Sequence, residues 1–181
     1  MRKVITSPFI SLDGVTESPE RWQFDHFDEG MMASMQTSLA RTDAVLLGRV
    51  TYEEWAGYWP GNTEDEFAGY INEVPKYVAT TQRLPQPTWN NTTILEGDLT
   101  RAVTELKARP GKDIAVTGSP GLVRSLIALD LLDELILTVH PVLAGTGKRL
   151  FGEDTDVRRL SLTNLERTPT GVAIMTYERR S

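Results

Sequence analysis

The chain has 181 residues, a formal net charge of −6, 40% hydrophobic and 24% charged residues, and no cysteine. That make-up fits one globular domain able to bury a core without crosslinks. It excludes disulfide and thiolate chemistry, suggests a cytoplasmic setting, and argues against nucleic acid as the main partner.

Val4, Ile5, Phe9 and Ile10 read as the first core strand, within Arg2 to Ser11, rather than as a leader. Asp13-Gly14 ends it with turn chemistry, and a polar loop with Pro19 follows. No run approaches the roughly 20 apolar residues of a membrane span, so no membrane partner is expected. The aromatic cluster Trp22, Phe24 and Phe27 leads into a helix predicted over Asp28 to Arg41, with Met31, Met35 and Leu39 at helical spacing. These side chains are either core or, with Asp25, Asp28 or Glu29 as a polar group, one wall of a substrate pocket.

Asp43 to Leu47 is a buried strand that runs into Gly48-Arg49, and Thr51 followed by Glu54 has the capping-box pattern that predicts a helix start there. Arg49 is a planar, permanently charged fork suited to phosphate, or a surface arginine with an acidic neighbour one helical turn on. Trp55, Tyr58 and Trp59 precede a short helix, Thr63 to Asn72. Lys76 to Thr80 is the next buried strand, ending in Thr80-Thr81-Gln82-Arg83, which could hold a ribose phosphate or simply open a solvated loop. Thr92 to Leu95 is a short strand, and Asp98 to Ala108 is helical.

Ile114 to Val116 delivers Gly118-Ser119-Pro120-Gly121 to another helix start, with Ser119 and Pro120 as N-cap and first-turn residues. Unpaired amides, the helix dipole and glycine's small size suit such a junction to a dinucleotide pyrophosphate, although any tight strand-to-helix turn looks similar. Leu135 to Val139 is the following strand, and Gly145 and Gly147 punctuate a loop able to close over a site. Val157 to Arg167 and Val172 to Glu178 form a terminal hairpin. Neither His26 nor His140 stands at metal-ligand spacing, so no metal is expected.

The alternation predicts a three-layer α/β fold, a mostly parallel mixed sheet with helices on both faces and an antiparallel C-terminal hairpin. In such sheets ligands sit beyond the carboxyl ends of strands. Gly48-Arg49, Thr80-Thr81 and Gly118-Ser119 all lie there, an arrangement that suits a long, multiply charged ligand.

At these residues the chain resembles the dihydrofolate-reductase-like superfamily, and within it the group related to the reductase domain of the bifunctional riboflavin-biosynthesis deaminase/reductase. Four motifs carry the likeness: Ser11 to Gly14, Asp43 to Glu53, Lys76 to Thr80, and the run from Gly118 through Asp133-Glu134-Leu135 and His140-Pro141-Val142 to Gly145 to Phe151. The resemblance implies an eight-stranded mixed sheet, NADPH as hydride donor, and a homodimer. It places Gly48, Arg49 and Thr51 on one side of the pyrophosphate and Gly118, Ser119, Gly121 and Leu122 on the other. Thr80, Thr81 and Arg83 would hold the 2′-phosphate, and Ser11, Asp13 and Gly14 would lie against the nicotinamide. Trp22, Phe27, Trp55 and Thr117 would line the substrate pocket; Asp28 is the candidate proton donor or, alternatively, a helix N-terminal carboxylate favoured by the dipole. The resemblance implies reduction of a small heterocyclic or carbonyl-like substrate of the pyrimidine or pterin class, but Thr117 stands where riboflavin-pathway reductases carry a substrate-contacting glutamate, so the chain departs from their substrate pattern. A nucleotide-binding protein without turnover is the alternative.

Overall fold

A computed structural model describes residues 1–63, 66–82, 84, 89–152 and 156–180. The predicted alternation is present. The strands are β1 (Val4–Thr6), β2 (Phe9–Ser11), β3 (Thr42–Gly48), β4 (Lys76–Ala79), β5 (Thr92–Leu95), β6 (Asp113–Gly118), β7 (Glu134–His140), β8 (Leu160–Arg167) and β9 (Ala173–Arg179). The helices are α1 (Glu29–Ala40), α2 (Arg49–Ala56), α3 (Glu66–Glu73), α4 (Leu99–Ala108) and α5 (Pro120–Ala128). They form one sheet in the order β5-β4-β3-β6-β1-β7-β9-β8, parallel except for β9 and β8, with β2 pairing β7 beyond β1. The single first strand expected from the sequence is broken at Ser7-Pro8. Proline offers no amide to a ladder, and the chain steps from its place between β6 and β7 to pair with β7 alone.

Side-chain alternation assigns the two faces. Ala44 and Leu46 of β3, Ile114 and Val116 of β6 and Leu135 of β7 join Val103 and Leu106 of α4 and Leu122, Val123 and Leu126 of α5 in one cluster. Val45 and Leu47 point the other way, against Tyr52 of α2 and Ile71 of α3. Ile136 and Ile174 pack with Met31 of α1. So α4 and α5 cover one face and α1, α2 and α3 the other. Among the described residues no helix is long and apolar enough to cross a membrane.

Lys76 is fully buried at the start of β4. Its Nζ donates to Ile71 O and Val74 O at 2.8 Å and to Asn72 O at 3.3 Å. It thus supplies the positive charge missing from the last turn of α3, 4.6 Å from the Trp89 ring. Lys76→Met would keep the buried stem and strand those carbonyls without donors. We expect a loss of about 2–4 kcal/mol, read from the urea midpoint; a loss under about 1 kcal/mol would show that the carbonyls find water.

Candidate functional site

Chain connectivity selects one place on the rim. β3 and β6 are parallel neighbours. From β3 the chain passes through α2 and α3 to β4 on one side, whereas from β6 it passes through α5, over β1, to β7 on the other. The connections diverge between β3 and β6, and such a switch point opens a crevice at the strand ends. The two helices leaving it lie on opposite faces, so both N-termini flank the same crevice.

The glycines at this junction act first on the protein itself. A Cβ on Gly48 would fall 2.7 Å from Ser119 Oγ, and one on Gly118, whose φ is +135°, would fall 2.8 Å from Thr51 Oγ1. Each glycine thus accepts the hydroxyl side chain that begins the opposite helix, and the two N-termini interlock. The register shifts beside them, where Leu46 and Leu47 oppose Val116 and Gly118 and leave Thr117 in excess. Thr117 Oγ1 is buried without a hydrogen-bond partner. Neither Gly48 nor Ser119 makes a side-chain cap. The first-turn amides of Thr51, Gly121 and Leu122 therefore remain free of intrahelical and capping acceptors and fit an anionic group.

Arg49 stands at the first position of α2, where its Nη1 pairs with Glu53 Oε2 at 2.7 Å. That is the acidic neighbour one turn on; to meet a phosphate the guanidinium would have to share or leave it. At the end of β4, the Thr80 hydroxyl both accepts from Gln82 N and faces Gln82 O at 3.0 Å, a local turn. Thr81 is exposed beside it. Arg83 lies outside the described residues.

Ser11, Asp13 and Gly14 knot two distant motifs together. Ser11 Oγ donates to Asp13 Oδ1 at 2.6 Å and accepts from Val15 N, and Asp13 accepts from Ala144 N at 2.9 Å and Gly145 N at 2.8 Å. Leu150 N donates to Gly14 O, and Arg149 Nε to Asp13 O. The Ser11 hydroxyl and these loop amides hold the Asp13 carboxyl at about 2, below the usual carboxylate range. Asp13 is therefore the clasp of the 141–148 loop, and its carboxylate oxygens are already engaged.

The expectation that Asp28 donates a proton does not fit its surroundings. It is the N-cap of α1, with Oδ1 accepting from Met31 N at 3.0 Å and Oδ2 from Thr170 N and Thr170 Oγ1 at 2.9 and 2.8 Å. Burial alone would raise its pKa, but these hydrogen bonds outweigh it and hold the carboxyl far below the usual range. Its carboxylate oxygens accept hydrogen bonds that cap a helix and pin the β8–β9 turn, an acceptor role rather than a donor's.

Of the four substrate-pocket residues, Trp55 and Phe27 fall on two separate clusters of the face that carries α1, α2 and α3, while Thr117 stays at the β3/β6 register shift. Trp55 packs against Trp59 and Phe67 in the cluster over β3 and β4. Phe27 packs against the cluster over β7 and β9, the core alternative of the sequence reading. Trp22 meets instead His140, read from sequence as part of the fourth motif and rejected as a metal ligand. His140, which ends β7 opposite Ser11 of β2, is fully buried, and neither ring nitrogen has a partner. Its imidazole lies edge-on to Trp22 at 5.1 Å, Phe9 at 5.5 Å and His26 at 6.2 Å between ring centroids. Burial, and then the second imidazole of His26, push its pKa down to about 4, so it is neutral near pH 7. The cue was the position of His140-Pro141 at the end of an apolar strand, just before the glycine loop.

A parallel sheet with a β3/β6 switch point, paired glycine junctions at its rim and an antiparallel C-terminal hairpin define an α/β domain of the dihydrofolate-reductase-like fold. Residues 2–174 match the RibD C-terminal domain, and the chain belongs to that family, whose reductase domains typically use NADPH. It is 30% identical to the uncharacterized protein YyaP of Bacillus subtilis (strain 168), over 97% of this chain and 94% of that one. The crystal structure of a putative riboflavin biosynthesis protein from Shewanella sp. PV-4 superposes with a TM-score of 0.75 at 21% identity, over 99% of both chains. That of a pyrimidine reductase-like protein from Corynebacterium diphtheriae gives 0.68 at 17% identity, over 99% of this chain and 92% of that one.

Proposed function

We propose that the chain is an NADPH-dependent reductase of a small heterocyclic or carbonyl-like substrate of the pyrimidine or pterin class. The observation that carries this reading is the β3/β6 switch point, where two helix N-termini without side-chain caps interlock through Gly48 and Gly118. The family and the pyrimidine reductase-like neighbour add support. Gly48, Arg49 and Thr51 would hold the pyrophosphate from one flank, and Gly118, Ser119, Gly121 and Leu122 from the other. Thr80, Thr81 and Arg83 would discriminate the 2′-phosphate. When bound, the dinucleotide supplies the hydride. The chain's own part is to orient it along the Ser11–Gly14 turn and to keep water from the acceptor.

The test is quenching of the native tryptophan fluorescence by NADPH and NADH. We expect saturable binding with NADPH favoured, and Arg49→Ala weakening it by about 1–3 kcal/mol with folding intact. Glu53→Gln, which releases Arg49, should leave affinity unchanged or raise it. Absence of saturable quenching by either nucleotide would remove the reading.

One observation favours a second reading, a nucleotide-binding protein without turnover: Asp28, the candidate acid, is committed to hydrogen bonds as an acceptor. NADPH binding with no oxidation across flavin precursors, pterins and quinones would select it. A homodimer belongs to either reading, and sedimentation velocity measures it; Leu162 and Leu165, exposed on β8, are candidates for its contact.

A further inference from the structure

At the opposite end of the sheet lies a cavity of about 420 Å³. It sits where β7 begins, β9 ends and α5 stops. Ile127, Leu132, Leu135, Leu160 and Tyr177 supply apolar wall, and Arg158, Arg159, Arg179 and Arg180 are among the residues that line it. Four arginines lining one cavity are unexpected in a chain of net charge −6.

The acids in the same wall do not neutralise them all. Asp133 is held by Lys107 at 2.6 Å, and Glu134 by Arg41 at 2.6 Å with Lys3 behind it. Asp130 pairs with Arg158 at 2.7 Å, while its carbonyl accepts from Arg179. Arg159 and Arg180 have no side-chain partner among the described residues. They extend the β8–β9 ladder by one step, Arg180 N donating to Arg159 O at 3.4 Å. Two like charges are thus set on facing positions of adjacent strands, an arrangement that is unfavourable without an anion between them.

We propose that this cavity binds a small organic anion, an aromatic body carrying a carboxylate or phosphate. The apolar wall takes the body, and the Arg159 and Arg180 guanidiniums take the charge. The volume suits one such molecule. β7 runs its seven residues from this cavity to His140, a separation of roughly 20 Å at strand rise. The site is therefore distinct from the β3/β6 crevice, and the two can be filled together.

Calorimetric titration of the full chain with a naphthalene carboxylate, and with its neutral carboxamide, tests this. We expect saturable one-to-one binding of the carboxylate, the carboxamide binding more weakly. The double variant Arg159→Gln/Arg180→Gln should weaken the carboxylate at least about tenfold and leave the carboxamide unchanged. Arg101→Gln, an exposed arginine on α4, should alter neither. No saturable binding, equal binding of the two probes, or an unaffected double variant would overturn the proposal. So would displacement by inorganic phosphate at comparable concentration, since that would make the wall irrelevant.

Discussion

Gly118→Val should cost the fold about 2–5 kcal/mol and abolish NADPH binding in the same variant. Two effects add. At φ +135° a residue with a Cβ is strained by about 1–3 kcal/mol, and the new Cβ would sit 2.8 Å from Thr51 Oγ1, an overpacking of similar size. Relief requires the start of α2 to move away from the start of α5, which separates the amides that would share an anion. Gly118→Ala paired with Thr51→Ala divides the two contributions. Removing the hydroxyl and methyl relieves the clash and leaves the backbone strain, so the pair should be less destabilised than the two single changes summed. Gly48→Ala is the complementary case: its φ is not in the left-handed region, but its Cβ would meet both Ser119 Oγ at 2.7 Å and the Ser119 backbone N at 3.1 Å. Trimming Ser119 to glycine would remove only the first contact, so rescue should be smaller. Urea midpoints and nucleotide titrations on the same samples measure both quantities. Normal NADPH affinity in a folded Gly118→Val would place the cofactor away from this junction.

Much of the architecture is readable before any coordinates, and the reason is physical. Strands buried on both faces need continuous apolar runs, and Asp43-Ala44-Val45-Leu46-Leu47 and Leu135 to Val139 are such runs; helices between them carry one apolar stripe. The broken first strand was less legible, because Pro8 signals an interruption without saying which neighbour each half keeps. The junction glycines were found for a partly different reason from the one they serve. A glycine in a sequence shows that a Cβ is absent, whereas the body that takes its place, here Ser119 or Thr51, is set by pairing β3 with β6. Asp28 was open to two readings because an aspartate one residue before a helix looks the same whether it caps or donates. Only Thr170, brought across by the β8–β9 turn, separates the two. Likewise the pairing of Asp13 with Ala144 and Gly145 joins residues over 130 positions apart, beyond any local pattern.

His140 carries the second large effect, and it concerns acid. The neutral imidazole is buried among Phe9, Trp22 and His26, and its pKa falls from 6.5 to about 4. Between those values the unfolded chain holds a proton that the folded chain refuses. Stability from this residue is therefore complete above about pH 6.5 and declines as pH falls toward 4. The shift corresponds to about 3 kcal/mol at the acid end. His140→Leu abolishes the titration and removes two buried nitrogens that lack partners, so near pH 7.5 it should lie within about 1 kcal/mol of the parent. On acidification the variant should overtake the parent, the gap opening between pH 6.5 and 4 while carboxylate contributions common to both cancel. Denaturation curves taken at half-unit steps would show parallel profiles if the imidazole were satisfied or accessible. A deficit of several kcal/mol for His140→Leu at pH 7.5 would point the same way, to an ordered water bridging the ring nitrogens. If the gap opens as expected, Trp22 and His26 form a closed cover over a dry imidazole, and the His140 ring beside the Ser11 turn is held by packing alone.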